Sequence, residues 1–229
     1  QHEAWGILAR KLAHEIKNPL TTIQLTIDIL KSNYSSQLSE KDKSNFKENL
    51  KIINNQIKQI EKLVNEFSDF ARMPKPIFQK NDLTELIIEN IKLLQELETS
   101  IEIKFESNLP IINLESDKEQ LSRVFLNLIK NSIESIQQKV QNDNNTNNKI
   151  DIELNDHDDH INLTIIDTGI GFENLKSNIK DILNPYFTTK KNGTGLGLSI
   201  VNKIINDHNG NIEFIPINNG ANIKIIFKR

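Results

Sequence analysis

The stretch FKENLKIINNQIKQIEKLVNEFSDFA, residues 46–71, places its apolar side chains at Phe46, Leu50, Ile53, Ile57, Ile60, Val64, Phe67 and Ala71. The spacing alternates four and three without a break, the heptad pattern of a long helix with one apolar seam. Toward the N terminus, a second stripe of threes and fours runs from Trp5 through Leu8, Leu12, Ile16, Leu20, Ile23, Ile27 and Leu30. A polar stretch from Ser32 to Ser44 separates the two. Two long amphipathic helices joined by about a dozen residues make an antiparallel hairpin, and a lone hairpin cannot cover both stripes. A second copy is therefore expected to complete a dimeric four-helix bundle, which makes the protein a homodimer.

Met73-Pro74-Lys75-Pro76 ends the second helix, because proline cannot continue the hydrogen-bond ladder and restricts the residue before it. This gives a hairpin domain over residues 1–73, a linker over 74–80 and a second domain over 81–229. In the second domain Asp82 to Leu97 reads as a helix capped by Asp82, Ile101 to Phe105 as a strand, and Asp117 to Val140 as a helix. Gln141 to Asn148 is almost wholly polar and reads as a loop. Strand patterns recur at Lys149 to Leu154 and Ile161 to Asp167, a Gly-punctuated stretch and helix cover Thr168 to His208, and a hairpin closes the chain at Asn211 to Ile215 and Asn222 to Phe227. The expected fold is a helical hairpin followed by a two-layer α/β sandwich with an antiparallel or mixed sheet.

Composition narrows the partners. With 28 basic and 31 acidic residues the net charge is −3, without the basic footprint of a nucleic-acid binder. Cysteine is absent, so no disulfide framework or thiolate metal site is available. No apolar run reaches the roughly 20 residues that span a bilayer. The chain opens on Gln1 rather than Met, so it reads as the cytoplasmic part of a protein whose upstream sensor region supplies any membrane anchor.

Chemistry concentrates in five segments. In His14-Glu15-Ile16-Lys17-Asn18-Pro19-Leu20, a step of about 100° per residue turns His14 away from the stripe containing Leu12 and Ile16. A free imidazole is largely neutral near pH 7 and attacks phosphorus if something takes its proton. Glu15 is placed to accept it. Asn18, one turn on, can position a water or a phosphoryl group. Pro19 leaves the Glu15 carbonyl without its helical donor and loosens the helix there. Taken alone, HExxN fits an ordinary surface histidine equally well.

Asn127-Leu128-Ile129-Lys130-Asn131 puts two carboxamides at i and i+4, hard oxygen ligands suited to Mg2+, with Lys130 beside them. Asp167-Thr168-Gly169-Ile170-Gly171 follows a strand. There a carboxylate can accept from an exocyclic amino group, while glycine admits a flat base close to the backbone. Next come Pro185-Tyr186-Phe187-Thr188-Thr189-Lys190 and Gly193-Thr194-Gly195-Leu196-Gly197-Leu198, a Gly-rich turn opening a helix whose free N–H groups suit phosphate. Thr189, Lys190 and Lys191 are candidates for a lid over the phosphates. Each segment has a bland alternative; all of them in this order do not.

That ordered set resembles the two-component sensor histidine kinases, whose HisKA-type hairpin precedes an ATP-binding domain of the Bergerat kind shared with Hsp90, MutL and type II topoisomerases. His14 to Leu20 is similar to their H-box, Asn127 to Asn131 to the N-box, Asp167 to Gly171 and Gly193 to Gly197 to the two glycine boxes, and Pro185 to Lys190 to the F-box. Phe67 to Pro76 (FSDFARMPKP) further resembles nitrogen-regulation sensor kinases of the NtrY type. The resemblance implies His14 as phosphoacceptor, Glu15 as general base and Asn18 as the residue that orients water when a partner is dephosphorylated. It implies Asn131 as the main Mg2+ ligand with Asn127 beside it, Lys130 near the phosphates and Asp167 reading adenine, with ATP as donor. Gly169, Gly171, Phe187, Thr188, Thr189, Lys190, Gly193, Gly195, Leu196 and Gly197 complete the implied nucleotide site. Ser132 and Asn184 stand where the family often has Ala and Glu, and neither is expected to touch the chemistry. The implied partner is the receiver domain of a response regulator, phosphorylated on aspartate. Two alternatives stand beside kinase activity: a module dominated by phosphatase activity, and a clamp-like ATPase, which Asn127 disfavours because such enzymes carry a catalytic Glu there.

Overall fold

The computed structural model describes residues 2–142, 148–172, 179–184, 188 and 193–229, without the side chains of 2–8, 141, 142, 179 and 180. The chain divides into two compact units, Gln1–Pro74 with Thr188–Leu196, and Lys75–Phe187 with Gly197–Arg229. Thr194 Oγ1 donates to the Glu66 carboxylate, which links the 188–196 segment to the first unit.

The first unit is a hairpin of helices α1 (His2–Tyr34) and α2 (Glu40–Ala71). The connection is shorter than the polar stretch suggested. Ser39 caps α2 by accepting from the Asp42 amide, and Glu40 and Asp42 lie in its first turn, where the helix dipole favours acids. Polar residues assigned to a loop from sequence are thus the solvated surface of two helices. The apolar stripes also divide. Leu20 and Ile27 on α1 and Leu50, Ile57 and Val64 on α2 recur every seven residues and are buried, whereas Leu12 of the α1 stripe is exposed and Ala13, outside the stripe, takes the buried place beside it. The alternate members, Ile16, Ile23 and Leu30 with Ile53 and Ile60, remain 36–45% exposed. One hairpin therefore covers one half of each heptad seam.

The second unit places five strands in the order β2-β4-β5-β7-β6, with β2 (Glu102–Ser107), β4 (Lys149–Asp156), β5 (His160–Asp167), β6 (Gly210–Ile215) and β7 (Ala221–Lys228). The sheet is mixed: β2 pairs parallel to β4 and every other pairing is antiparallel. Along β4, β5 and β7 alternate residues are buried, among them Ile150, Ile152, Leu163, Ile165, Ile223 and Ile225. That face is covered by α3 (Leu83–Leu97), α4 (Lys118–Asn142) and α5 (Gly197–Asp207), giving the expected two layers.

Two strands escaped the sequence reading. β1 (Gln79–Asp82) and β3 (Asn113–Ser116) pair antiparallel as a separate two-stranded sheet, so Gln79 and Lys80, expected in the linker, belong to it. Four-residue strands with few apolar side chains leave no period to read. Asp117 ties this region together. Its carboxylate accepts from the Ile77 and Gln120 amides, fastening the incoming chain to the start of α4. Buried His208 accepts the Asp117 amide at Nε2 and donates to the Ile204 carbonyl from Nδ1, so it is a structural tie.

Candidate active site

Within the hairpin, His14, Glu15 and Asn18 are all exposed, and the i, i+4 relation keeps His14 and Asn18 on one face. Pro19 sits inside α1 and removes the donor for the Glu15 carbonyl. Just beyond it, the hydroxyls of Thr21 and Thr22 donate back to the Lys17 and Asn18 carbonyls at 3.0 and 3.2 Å. Such back-bonding favours bending. The helix beneath His14 thus carries two separate local causes of flexure.

Within the second unit, the residues expected to meet ATP gather around α4. Asn127 donates from Nδ2 to the Arg123 carbonyl at 2.8 Å, which turns its Oδ1 away from its own helix. That oxygen lies 3.3 Å from where a Cβ on Gly197 would stand, at the first residue of α5. The donor set is suitable for a hard cation, since an outward carboxamide oxygen is the ligand Mg2+ accepts beside phosphate and water. Lys130 is exposed and Asn131 half-buried on the same helix.

Asp167 follows the inward parity of β5, after Ile161, Leu163 and Ile165, and only 3% of it is exposed. Oδ1 accepts from the Gly169 amide at 2.9 Å and the Ala221 amide at 3.3 Å. Burial raises the Asp167 pKa above the ordinary carboxylate value, opposed by the Gly169 amide, the Ser132 hydroxyl, the Ala221 amide and the Lys139 charge. Ser132 therefore does touch the candidate chemistry, contrary to the sequence reading. It is 2% exposed and lies one turn after fully buried Leu128, on the inward face of α4. A serine at that phase of a helix, opposite a strand-end aspartate, was the available signal.

The turn after Asp167 needs its glycines. A Cβ on Gly169 would stand 2.2 Å from Ser135 Oγ, and that hydroxyl accepts the Ile170 amide at 3.1 Å. Gly171 has φ +66, and a Cβ there would meet the Gly220 carbonyl at 2.3 Å. Ser135 was likewise missed by sequence reasoning. Gly193, Gly195 and Leu196 lead directly into α5, which starts at Gly197. Thr188 is exposed, whereas Phe187, Thr189, Lys190 and Lys191 lie outside the described residues. Among the described residues no group of three or more His, Asp or Glu side chains is placed to hold a metal ion; the rings of His157 and His160 stack with their centroids 4.6 Å apart.

An exposed histidine on a helical hairpin, followed by an α/β domain with a buried carboxylate, a carboxamide pair and a Gly-rich helix start, is the arrangement expected of a phospho-acceptor module and a nucleotide-binding module on one chain. Residues 4–76 match the His Kinase A (phospho-acceptor) domain, and residues 116–229 match the histidine kinase-, DNA gyrase B- and HSP90-like ATPase family. The chain is 36% identical over 228 residues to nitrogen regulation protein NtrY of Azorhizobium caulinodans, covering 98% of this chain and 29% of that protein. It is also 36% identical to an NtrY-like sensor histidine kinase of Rickettsia felis, covering 92% of this chain and 33% of that one. Among solved structures, the catalytic domain of histidine kinase ThkA matches with TM-score 0.55 and 30% identity, covering 66% of this chain and 95% of that one. ThkA in complex with the response regulator TrrA matches with TM-score 0.65 and 26% identity over 99% of this chain and 62% of that one. The chain belongs to the histidine kinases, as a catalytic core with a phospho-acceptor domain and an ATP-binding domain. It spans about a third of the length of the curated relatives it matches. No described helix is long and apolar enough to cross a membrane.

Proposed function

We propose that this core phosphorylates itself on His14 from Mg-ATP and passes the phosphoryl group to an aspartate of a response-regulator receiver domain. The observation that carries the reading is the joint presence of an exposed His14-Glu15-Asn18 face on the phospho-acceptor hairpin and an ATP-binding domain on the same chain. His14 is the nucleophile. Its ring nitrogen forms the N–P bond as the bond to ADP breaks, and Glu15 takes the imidazole proton. Asp167, held in place by Gly169, Ala221 and Ser132, accepts from the adenine amino group. The backbone from Gly193 to Gly197, with Lys130, holds the phosphates. Asn131 and Asn127 would hold Mg2+, which supplies charge neutralisation at the phosphates.

The exposure of Asn18 on the face of His14 favours a second activity, positioning water for dephosphorylation of the partner. The half-open heptad seams favour a homodimer. In a longer protein an upstream sensor region would provide the membrane anchor, leaving this core in the cytoplasm. Incubation with γ-labelled ATP and Mg2+ is expected to give acid-labile, alkali-stable label on the protein that His14→Gln abolishes. Label that survives this substitution refutes the assignment of the acceptor.

A further inference from the structure

His14 does not stand on a bare helix. It opens into a recess of about 440 Å³ between α1 and α2, within the hairpin unit. Arg10 and Lys17 flank it on α1 at i−4 and i+3, so both side chains lie on the histidine's own face. From α2 the recess receives Ser68, Asp69 and Arg72, which share a face at the same helical spacings. Ala13, 5% exposed, leaves the space that a longer side chain would fill, and Ser68, 7% exposed, lines it with a hydroxyl. Three cations therefore line the recess with His14, against the carboxylate of Asp69 in its lining and that of Glu15 beside the histidine in sequence. The Asp69 carboxylate lies 3.6 Å from the Arg72 guanidinium, and both partners are about half exposed.

We propose that this recess is an anion site in which Arg10 and Arg72, with Lys17, hold the phosphoryl group once it is on His14. The proposal rests on His14 as the acceptor. A phosphoryl group brings nearly two negative charges and three strong acceptor oxygens, and arginine suits it because its fork of N–H donors matches two oxygens together. Before transfer, Arg72 has Asp69 as its counter-charge. After transfer the phosphoryl group competes for it, and Asp69 becomes a like charge beside the new anion. Arg10 and Arg72 set how strongly the charged phosphohistidine is favoured.

The test separates the recess from the kinase reaction. Potassium phosphoramidate phosphorylates histidine directly, forming the N–P bond at the ring as ammonia leaves. With the full chain phosphorylated this way, the phosphorus resonance absent from His14→Gln identifies phospho-His14, and its pH titration reads the surrounding charge. The second phosphoryl ionisation is expected below that of free phosphohistidine. Arg72→Gln and Arg10→Gln should each move it up by about half a pH unit, the size that one partly exposed charge pair supports. Arg72→Lys should restore part of the shift. Asp69→Asn should move it down, a reversal of sign that loss of structure does not produce. A midpoint equal to that of free phosphohistidine and unmoved by these substitutions overturns the anion site. Failure of ATP labelling with the titration intact would instead count against the kinase reading alone.

Discussion

The seam left open by a single hairpin makes a quantitative prediction about assembly. Ile23 and Ile53 are 45% and 44% exposed, although each sits on the heptad stripe. Burying an isoleucine side chain fully is worth about 1.5–3 kcal/mol, so completing the burial of each is worth about 1 kcal/mol. Truncating both to alanine removes four side chains from a two-fold interface, a loss of about 4 kcal/mol. At 1.4 kcal/mol per decade this weakens the dimer about a thousandfold. The hairpin itself should survive, because its internal core of Leu20, Ile27, Leu50 and Ile57 with Phe46 is untouched. Sedimentation equilibrium of the wild type and the Ile23→Ala, Ile53→Ala variant, with helix content followed by circular dichroism, measures both quantities. A wild type that stays monomeric at micromolar concentration, or a variant whose dimer constant moves only a few-fold, refutes the half-seam argument.

The remaining predictions concern two carboxylates. Because burial raises the Asp167 pKa, the folded chain binds a proton there more readily than the unfolded chain, and the ionised group lowers stability as pH rises through the folded pKa. Asp167→Asn is therefore expected to raise the thermal midpoint of the nucleotide-free protein at neutral pH while abolishing ATP binding; calorimetric melting and titration check the two effects separately. Ser132→Ala should weaken ATP binding by roughly tenfold, the worth of a hydrogen bond to a charged group, with the loss growing as pH falls toward the Asp167 pKa. For Asp117, partial burial opposes the charge, but the amides of Ile77, Gln120 and Glu119 outweigh it and lower the pKa. Its contribution is present above the unfolded carboxylate pKa and is lost as pH falls through the folded one. Asp117→Ala should cost about 1–2 kcal/mol at pH 7, as loss of a helix cap does, and far less in acid, measured by urea denaturation.

Much of the molecule is legible without coordinates. The heptad from Phe46 to Ala71, the β-strand alternation at 149–154 and 161–167, and the Asp82 cap are local rules, and the structure has each of them, with strand ends shifted by one or two residues. The loop over 32–44 was misread because capping by Ser39 and the acidic first turn of α2 make a polar stretch helical. The β1 and β3 strands were missed because their pairing joins residues about 35 positions apart with little apolar pattern.

The sequence by itself determined the two modules, the order of the nucleotide-site segments and the exposure of His14, because helical period and motif spacing follow from backbone geometry. Only the tertiary structure decided which members of each stripe are buried, which amides and hydroxyl fix Asp167, and which cations gather at His14. Those depend on which faces of separate elements meet. Arg72 lies 58 positions beyond His14, and only the antiparallel return of α2 brings it to the same recess.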